Sequence, residues 1–339
     1  MKINTIYKKY LILLIFVLNL VLGSVMLSSG VWNVNVSEEN NTSIIKFAQV
    51  SDIHLDLKAR EDWNKRLLIY SKQLLQDAID QINGIKDIDF VVFSGDMINS
   101  PSESAFMTFI KMANTLKVPW YAAMGNHDIG IKSEFNKSRF LNILNQKNKN
   151  FKSNNPYYSF VPKKGFLVIV MDGVIGNKII ANGFFSKESL IWLEAQLKNN
   201  KDSKIIIIQH FPIIEPFKSS SHRVINAREY LEILNKYHNV LAVLSGHYHA
   251  TKIIRLCNVI HVSTPALVEY PNAFRVITIK DKDNETELDF VFKETRLKNL
   301  QEKSKKRSKS YKLLYGEESD RNATVIIDKI NRNSVDLRQ

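Results

Sequence analysis

The sequence predicts an α/β fold with a largely buried sheet, and two observations carry that prediction. From residue 44 onward, short apolar runs alternate with segments of helical periodicity, the pattern of a chain that alternates strand and helix. Polar clusters rich in Asp and His directly follow five of those apolar runs, and α/β sheets collect their ligand sites at the carboxyl ends of strands.

The elements follow in order. Lys2, Lys8 and Lys9 precede an apolar run, Tyr10–Leu27, and the small residues Ser28-Ser29-Gly30 follow it. Basic, then apolar, then small is the order of a secretory signal. The run is also long enough to serve as an uncleaved N-terminal membrane anchor, so residues 1–30 read as a signal peptide or an anchor. With no cysteine near the run, a lipoprotein anchor is excluded. Three lysines before the run and Glu38 and Glu39 after it put the N-terminus inside and the rest of the chain outside the cytoplasm, either secreted or periplasmic, or anchored. Residues 31–43 are polar and read as a linker.

Ile44–Val50 predicts the first strand, ending at Ser51-Asp52-Ile53-His54. Trp63–Ile82 carries apolar residues at helical spacing. Asp89–Phe93 predicts a strand ending at Ser94-Gly95-Asp96, Ala105–Leu116 a helix that Val118-Pro119 breaks, and Trp120–Met124 a strand ending in Gly125-Asn126-His127-Asp128. Glu134–Asn145 predicts a helix, and Tyr157–Val161 with Phe166–Met171 a hairpin. Ser186 is placed to cap a helix that runs through Leu197. Lys204–Ile208 predicts a buried strand ending at Gln209-His210. Ala227–Tyr237 is a helix, and Val240–Leu244 a strand ending at Ser245-Gly246-His247-Tyr248-His249. Ile253–Leu256, Val259–Val262, Phe274–Ile279 and Glu287–Phe292 close the fold.

Composition narrows the chemistry. The chain has 339 residues and one cysteine, Cys257, so an intramolecular disulfide and a thiolate cluster are both excluded. Any metal site must use His, Asp, Glu or Asn. The net charge is +13, but Arg296–Lys312 alone carries eight basic residues against Glu302. With its serines and few apolar residues, the segment 295–339 reads as a basic, flexible tail.

The clusters hold two Asp, one Asn and four His, a donor set that suits Mn, Fe, Zn or Co better than Ca or Mg. Asp-x-His and His-x-His put alternate side chains on one side of an extended segment, so both can face one site. A carboxylate can bridge two cations about 3.5–4 Å apart, a spacing suited to in-line displacement at phosphorus, and histidine can protonate the leaving oxygen.

Asp52-Ile53-His54, Gly95-Asp96, Gly125-Asn126-His127-Asp128, His210 and Gly246-His247-Tyr248-His249 resemble, in order, the five motifs of the calcineurin-like metallophosphoesterase superfamily. The resemblance covers residues 44–294 and implies a four-layered αββα sandwich of two mixed sheets. It implies two metal ions, Mn, Fe or Zn: Asp52, His54 and His249 on the first, Asn126, His210 and His247 on the second, and Asp96 bridging. It also implies His127 as general acid and Asp128 as a residue that shapes the catalytic loop. Asn99 stands three residues after Asp96, where protein phosphatases of the superfamily carry Asp and purple acid phosphatases Tyr. The compact layout and Asn155–Phe160 resemble the bacterial branch, which includes class III cyclic-nucleotide phosphodiesterases.

The function expected is therefore a dinuclear metal-dependent phosphoesterase acting on a small phosphoester, mono- or diester. The competing readings are a non-catalytic binding module on the same fold and an extracellular nuclease. The complete ligand set with His127 argues against the first, and the export signal argues against nucleic acid inside the cell. His222 and His238 read as solvated surface residues, His261 as a hydrogen-bonded core residue, Cys257 as packing, and Asp172-Gly173 as a turn.

Overall fold

A computed structural model describes residues 42–329 except 131–132, 177–180 and 257. The segment 1–30, nearly all of the linker 31–43, and Cys257 lie outside the described residues. Among the described residues no helix is long and apolar enough to cross a membrane.

Two six-stranded mixed sheets form the centre, with helices on their flanks. The first sheet begins with β1 (Ser43–Val50), β2 (Phe90–Ser94) and β3 (Trp120–Ala123), which run parallel. Its other half is antiparallel: β10 (Ala273–Asp281) pairs β1, β11 (Glu285–Glu294) pairs β10, and β12 (Ala323–Asp328) closes the edge. The second sheet has the order β4 (Tyr158–Lys163), β5 (Phe166–Val170), β6 (Lys204–Ile208), β7 (Val240–Ser245), β9 (Val259–Ser263) and β8 (Lys252–Leu256), with β5, β6, β7 and β9 parallel. The parallel strands read as continuous apolar runs because both of their faces are covered. Phe90–Ser94, Phe166–Val170 and Val240–Ser245 are buried throughout.

The long helices are α1 (Ser71–Asn83), α2 (Glu103–Ala113), α3 (Lys137–Lys147), α4 (Lys187–Asn199) and α5 (Ala227–Leu234). The Ser186 hydroxyl caps α4 by accepting from the Ser189 amide, and Ser102 does the same for α2 through Ala105. The apolar periodicity from Trp63 overstates α1. Leu67 donates its amide to Val268 O at 2.8 Å, and Trp63 and Arg66 pair backbone to backbone, so residues 63–67 are not helical, and a single 3₁₀ turn, Leu68–Tyr70, leads into α1.

The C-terminal expectation is corrected. The segment after residue 294 folds onto the sheets as α6 (Lys298–Arg307), α7 (Tyr311–Tyr315), α8 (Glu318–Arg321) and β12, through to the last described residue, 329. Leu300 and Leu314 are buried, and β12 pairs with β11 from Ala323 to Asp328.

Candidate metal centre

Asp52 and His54 follow β1, Asp96 follows β2, Asn126 and His127 follow β3, His210 follows β6, and His247 and His249 follow β7. All five are parallel strands, three in one sheet and two in the other, and their carboxyl ends meet. The local backbone is strained to achieve this. Asp52, His54, Asp96, His247 and His249 all have φ between 44° and 68°, a left-handed conformation that costs on the order of 1–3 kcal/mol at a non-glycine residue. Cross-strand bonds hold it, with the Asp52 amide on Gly95 O at 3.1 Å and the His54 amide on Asp96 O at 2.9 Å. Two glycines in the motifs are set by close approach. A Cβ at Gly95, itself at φ 96°, would lie 2.4 Å from His210 Nδ1, and one at Gly246 would lie 1.8 Å from Ser51 Oγ.

The side chains converge in two groups that share one oxygen. His54 Nε2 lies 3.2 Å from His249 Nε2, and His249 Nε2 lies 3.3 Å from Asp52 Oδ1. His210 Nε2 lies 3.2 Å from both Asn126 Oδ1 and His247 Nδ1. Asp96 Oδ2 faces both groups, 3.7 Å from His54 Nε2 and 3.3 Å from His210 Nε2, while Oδ1 accepts from the His127 amide at 2.8 Å.

Outer partners orient the rings. His210 Nδ1 donates to Ser94 O at 2.9 Å, and His249 Nδ1 donates to Glu269 Oε2 at 2.7 Å. With the proton held on Nδ1, each ring turns the lone pair of its Nε2 inward, as a metal ligand does. Burial disfavours charge on His210 and His249, but Asp96 beside the first and Asp52 beside the second raise both to about 9. Burial holds His54 and His247 well below the ordinary imidazole range. Burial also opposes the charge on Asp96, yet His210, His127 and His54 keep its carboxyl well below the usual carboxylate range.

These residues fit divalent cations. Asp52 Oδ1 is buried and has no hydrogen-bond partner. Ring nitrogens and the oxygens of Asp52 and Asn126 crowd to 3.2–3.3 Å of one another, an arrangement that positive charge between them stabilises. Ligand atoms of Asp52, His54 and His249 lie within 4.8 Å of one another, as do those of Asp96, His210 and His247.

All seven predicted ligand residues therefore meet at one place. His127 stands beside them, its ring 4.6 Å edge-on from that of His54. Its Nδ1 donates to Asn99 O at 2.7 Å, which leaves Nε2 toward the cleft. Asp128 is fully buried, and its two oxygens accept from the amides of Ile98 and Gly125. Burial, and then Asp96, push its carboxyl up to about 8. It braces the turn and does not reach the cleft.

Other residues at the site carry no sequence signal of their own. Glu269 orients His249 from a loop after β9. The Arg66 guanidinium lies 3.4 Å from His54 Nδ1 and 3.5 Å from His127 Nε2. His222 is exposed at the rim of the site: its ring lies 5.2 Å from that of His247, and its Nδ1 accepts from the Ser219 and Ser221 hydroxyls. His238 is exposed. His261 is buried, but its Nδ1 has no hydrogen-bond partner. Asp172 accepts from Lys137 Nζ and the Val174 amide, beside the cleft that Val174 lines.

Comparison with known proteins agrees with this geometry. A probable glycerophosphodiester phosphodiesterase of Arcobacter nitrofigilis is 30% identical over 207 residues, 59% of this chain and 70% of that protein. A probable cyclic nucleotide phosphodiesterase of Xenorhabdus bovienii is 25% identical over 230 residues, 66% of this chain and 86% of that one. The fold is that of a dimetal phosphatase from Danio rerio, at a TM-score of 0.56 and 17% identity, over 74% of this chain and 99% of the other. The family model for calcineurin-like phosphoesterases matches residues 45–251, which span β1 to the His247/His249 turn, and the chain belongs to that family of metal-dependent phosphoesterases.

Proposed function

We propose that the protein is a dinuclear phosphodiesterase in which His127 is the general acid. The observation that carries this reading is the position of Asp96 Oδ2 between two ligand groups, with Nε2 of His127 facing the cleft beside them. Asp52, His54 and His249 would hold one ion, Asn126, His210 and His247 the other, and Asp96 both. Two such ions, Mn, Fe or Zn, supply Lewis acidity toward the phosphate oxygens and a nucleophilic water at neutral pH.

The chain's own residues do the rest. Asn99 O holds the His127 ring by its Nδ1–H and so turns Nε2 to the cleft, the atom from which the imidazolium would deliver its proton as general acid. Water adds to phosphorus, the bond from phosphorus to the leaving oxygen breaks, and that oxygen takes the Nε2 proton while the water's proton passes to solvent. Names of relatives support a diester substrate: both are called probable phosphodiesterases, one for glycerophosphodiesters and one for cyclic nucleotides.

His127→Ala tests the role. Loss of general acid catalysis costs about 10²–10⁴-fold in rate, and the loss should be larger for alkyl leaving groups than for nitrophenolate, which departs without a proton. The variant should still bind two equivalents of Mn²⁺ by elemental analysis. Loss of a metal, or an equal loss for both leaving groups, would make His127 a ligand or a structural residue instead.

The same reading puts the catalytic domain outside the cytoplasm, supported by Lys2, Lys8 and Lys9 ahead of Tyr10–Leu27. A reporter fused after Asn41 should be active only when exported; activity confined to the cytoplasm refutes this placement.

A further inference from the structure

The cleft over the site is divided in two. Trp63, 57% exposed, lines both halves and stands between them. One half, about 720 Å³, is lined by Asn126 and His127 together with Pro101, Ile129 and Val174. Among the described residues it has no Lys, Arg, Asp or Glu in its wall. The other half, about 790 Å³, is lined by His247 and His249 and by four cations: Lys65, Arg66, Arg307 and Lys309.

The balance of charge in the second half is positive. Its one lining carboxylate, Glu269, is engaged by His249 at 2.7 Å and by Lys65 at 3.6 Å. Arg307 bonds to the backbone carbonyls of Asn64 and Asp62 at 3.0 and 3.2 Å, which fixes its position without neutralising it. Arg66 reaches site imidazoles, and among the described residues neither it nor Lys309 has a carboxylate partner. Arg307 and Lys309 belong to the C-terminal segment, past the residues 45–251 that the family model matches. The cationic wall is thus built partly from sequence outside the shared catalytic region.

A phosphodiester centred on the site sends one arm into each half. We propose that the cationic half is an anion-binding subsite, so that the substrate is a phosphodiester whose retained arm carries a second phosphate. Arg66, Arg307 and Lys309 grip that phosphate, and the leaving alcohol lies in the half beside His127. This assignment rests on the phosphodiesterase reading and adds the substrate class to it.

The test uses a matched pair of chromogenic esters and the Mn²⁺-loaded full chain. Thymidine 5′-(4-nitrophenyl phosphate) has one phosphate; its 3′-phosphorylated counterpart has two. Rim ion pairs are individually weak, and three acting on one phosphate give an expected advantage of about 10-fold in kcat/KM for the second ester, carried mainly by KM. The advantage should shrink as salt is raised. Lys309→Glu, at an exposed position, should bring the ratio of the two toward 1.

Calorimetry supplies an independent reading: thymidine 3′,5′-bisphosphate should bind about 10-fold more tightly than thymidine 5′-phosphate. A ratio near 1 in both measurements, or a ratio that Lys309→Glu does not change, overturns the subsite. If neither ester is hydrolysed, the phosphodiesterase reading fails, and the two binding constants still decide whether the anion site exists.

Discussion

His261 is a buried base that the metal centre does not use. It sits on β9 opposite Val243 and Ile254, and burial alone lowers its pKa from 6.5 to about 4. The folded state therefore keeps the ring neutral where the unfolded chain would protonate it. Below pH 6.5 the unfolded state binds more protons, so stability is full above that pH and falls as pH drops toward 4. Between pH 7.5 and pH 5 this one group should cost the protein about 2 kcal/mol. His261→Leu removes the proton acceptor and keeps an apolar side chain in an apolar strand. Urea denaturation at the two pH values should show the variant losing about 2 kcal/mol less than the parent; equal losses would mean that His261 is not held neutral. Single residues also set the limit of what the sequence reveals. The seven converging residues are legible because each of their polar clusters directly follows an apolar run and the clusters recur in a fixed order. Glu269 and Arg66 are not, because each acts through contacts with chain more than ten residues distant: Glu269 on His249, and Arg66 on His54 and His127.

At the scale of elements, strands that enter the site were the easiest to read. Lys204–Ile208 matches its sequence bounds because four consecutive isoleucines leave no amphipathic alternative. Helix starts were harder, since periodicity does not report where the backbone is already committed. Leu67 is apolar and in phase with α1, but its amide is bonded to Val268, far along the chain. The order of the C-terminal segment is hidden in the sequence for a related reason. Its basic residues look unpartnered locally, yet Arg296 pairs with Asp77 at 2.8 Å and Lys303 with Asp62 at 2.7 Å. Those acids precede it by more than two hundred residues, and only the closed fold brings them near. Composition alone judged the segment too poor in apolar residues to order, but Leu300 and Leu314 pack onto surface that the rest of the fold supplies.

Across the whole molecule, polar links join the two sheets where apolar packing gives way to the site. Gln49 on β1 donates to Ser245 O on β7 at 3.1 Å, and Thr264 donates back to Gln49 at 2.7 Å. Arg275 on β10 is fully buried, and burial lowers its pKa to about 9. Its guanidinium donates to the carbonyls of Asp320 and Arg321 on the C-terminal segment and to Ser263 O on β9. Asp320 completes this junction from the other side. Its carboxylate accepts from Lys252 Nζ, the Ile253 amide and the Glu317 amide, each at 3.1 Å, while its side chain is almost wholly buried. Asp320→Ala would leave the ammonium of Lys252 and two backbone amides without their acceptor. Leaving buried donors unpaired costs about 1–3 kcal/mol each when water cannot replace the partner, and partial hydration of Lys252 reduces the sum, so a loss of about 3 kcal/mol is expected. Asp320→Asn retains one acceptor oxygen and should fall between the parent and the alanine variant. Because this residue ties α8 to both sheets, limited proteolysis should cut Asp320→Ala within residues 296–322 before the parent is touched. If denaturant midpoints of parent and Asp320→Ala coincide, the Asp320 carboxylate contributes nothing to the attachment of the C-terminal segment.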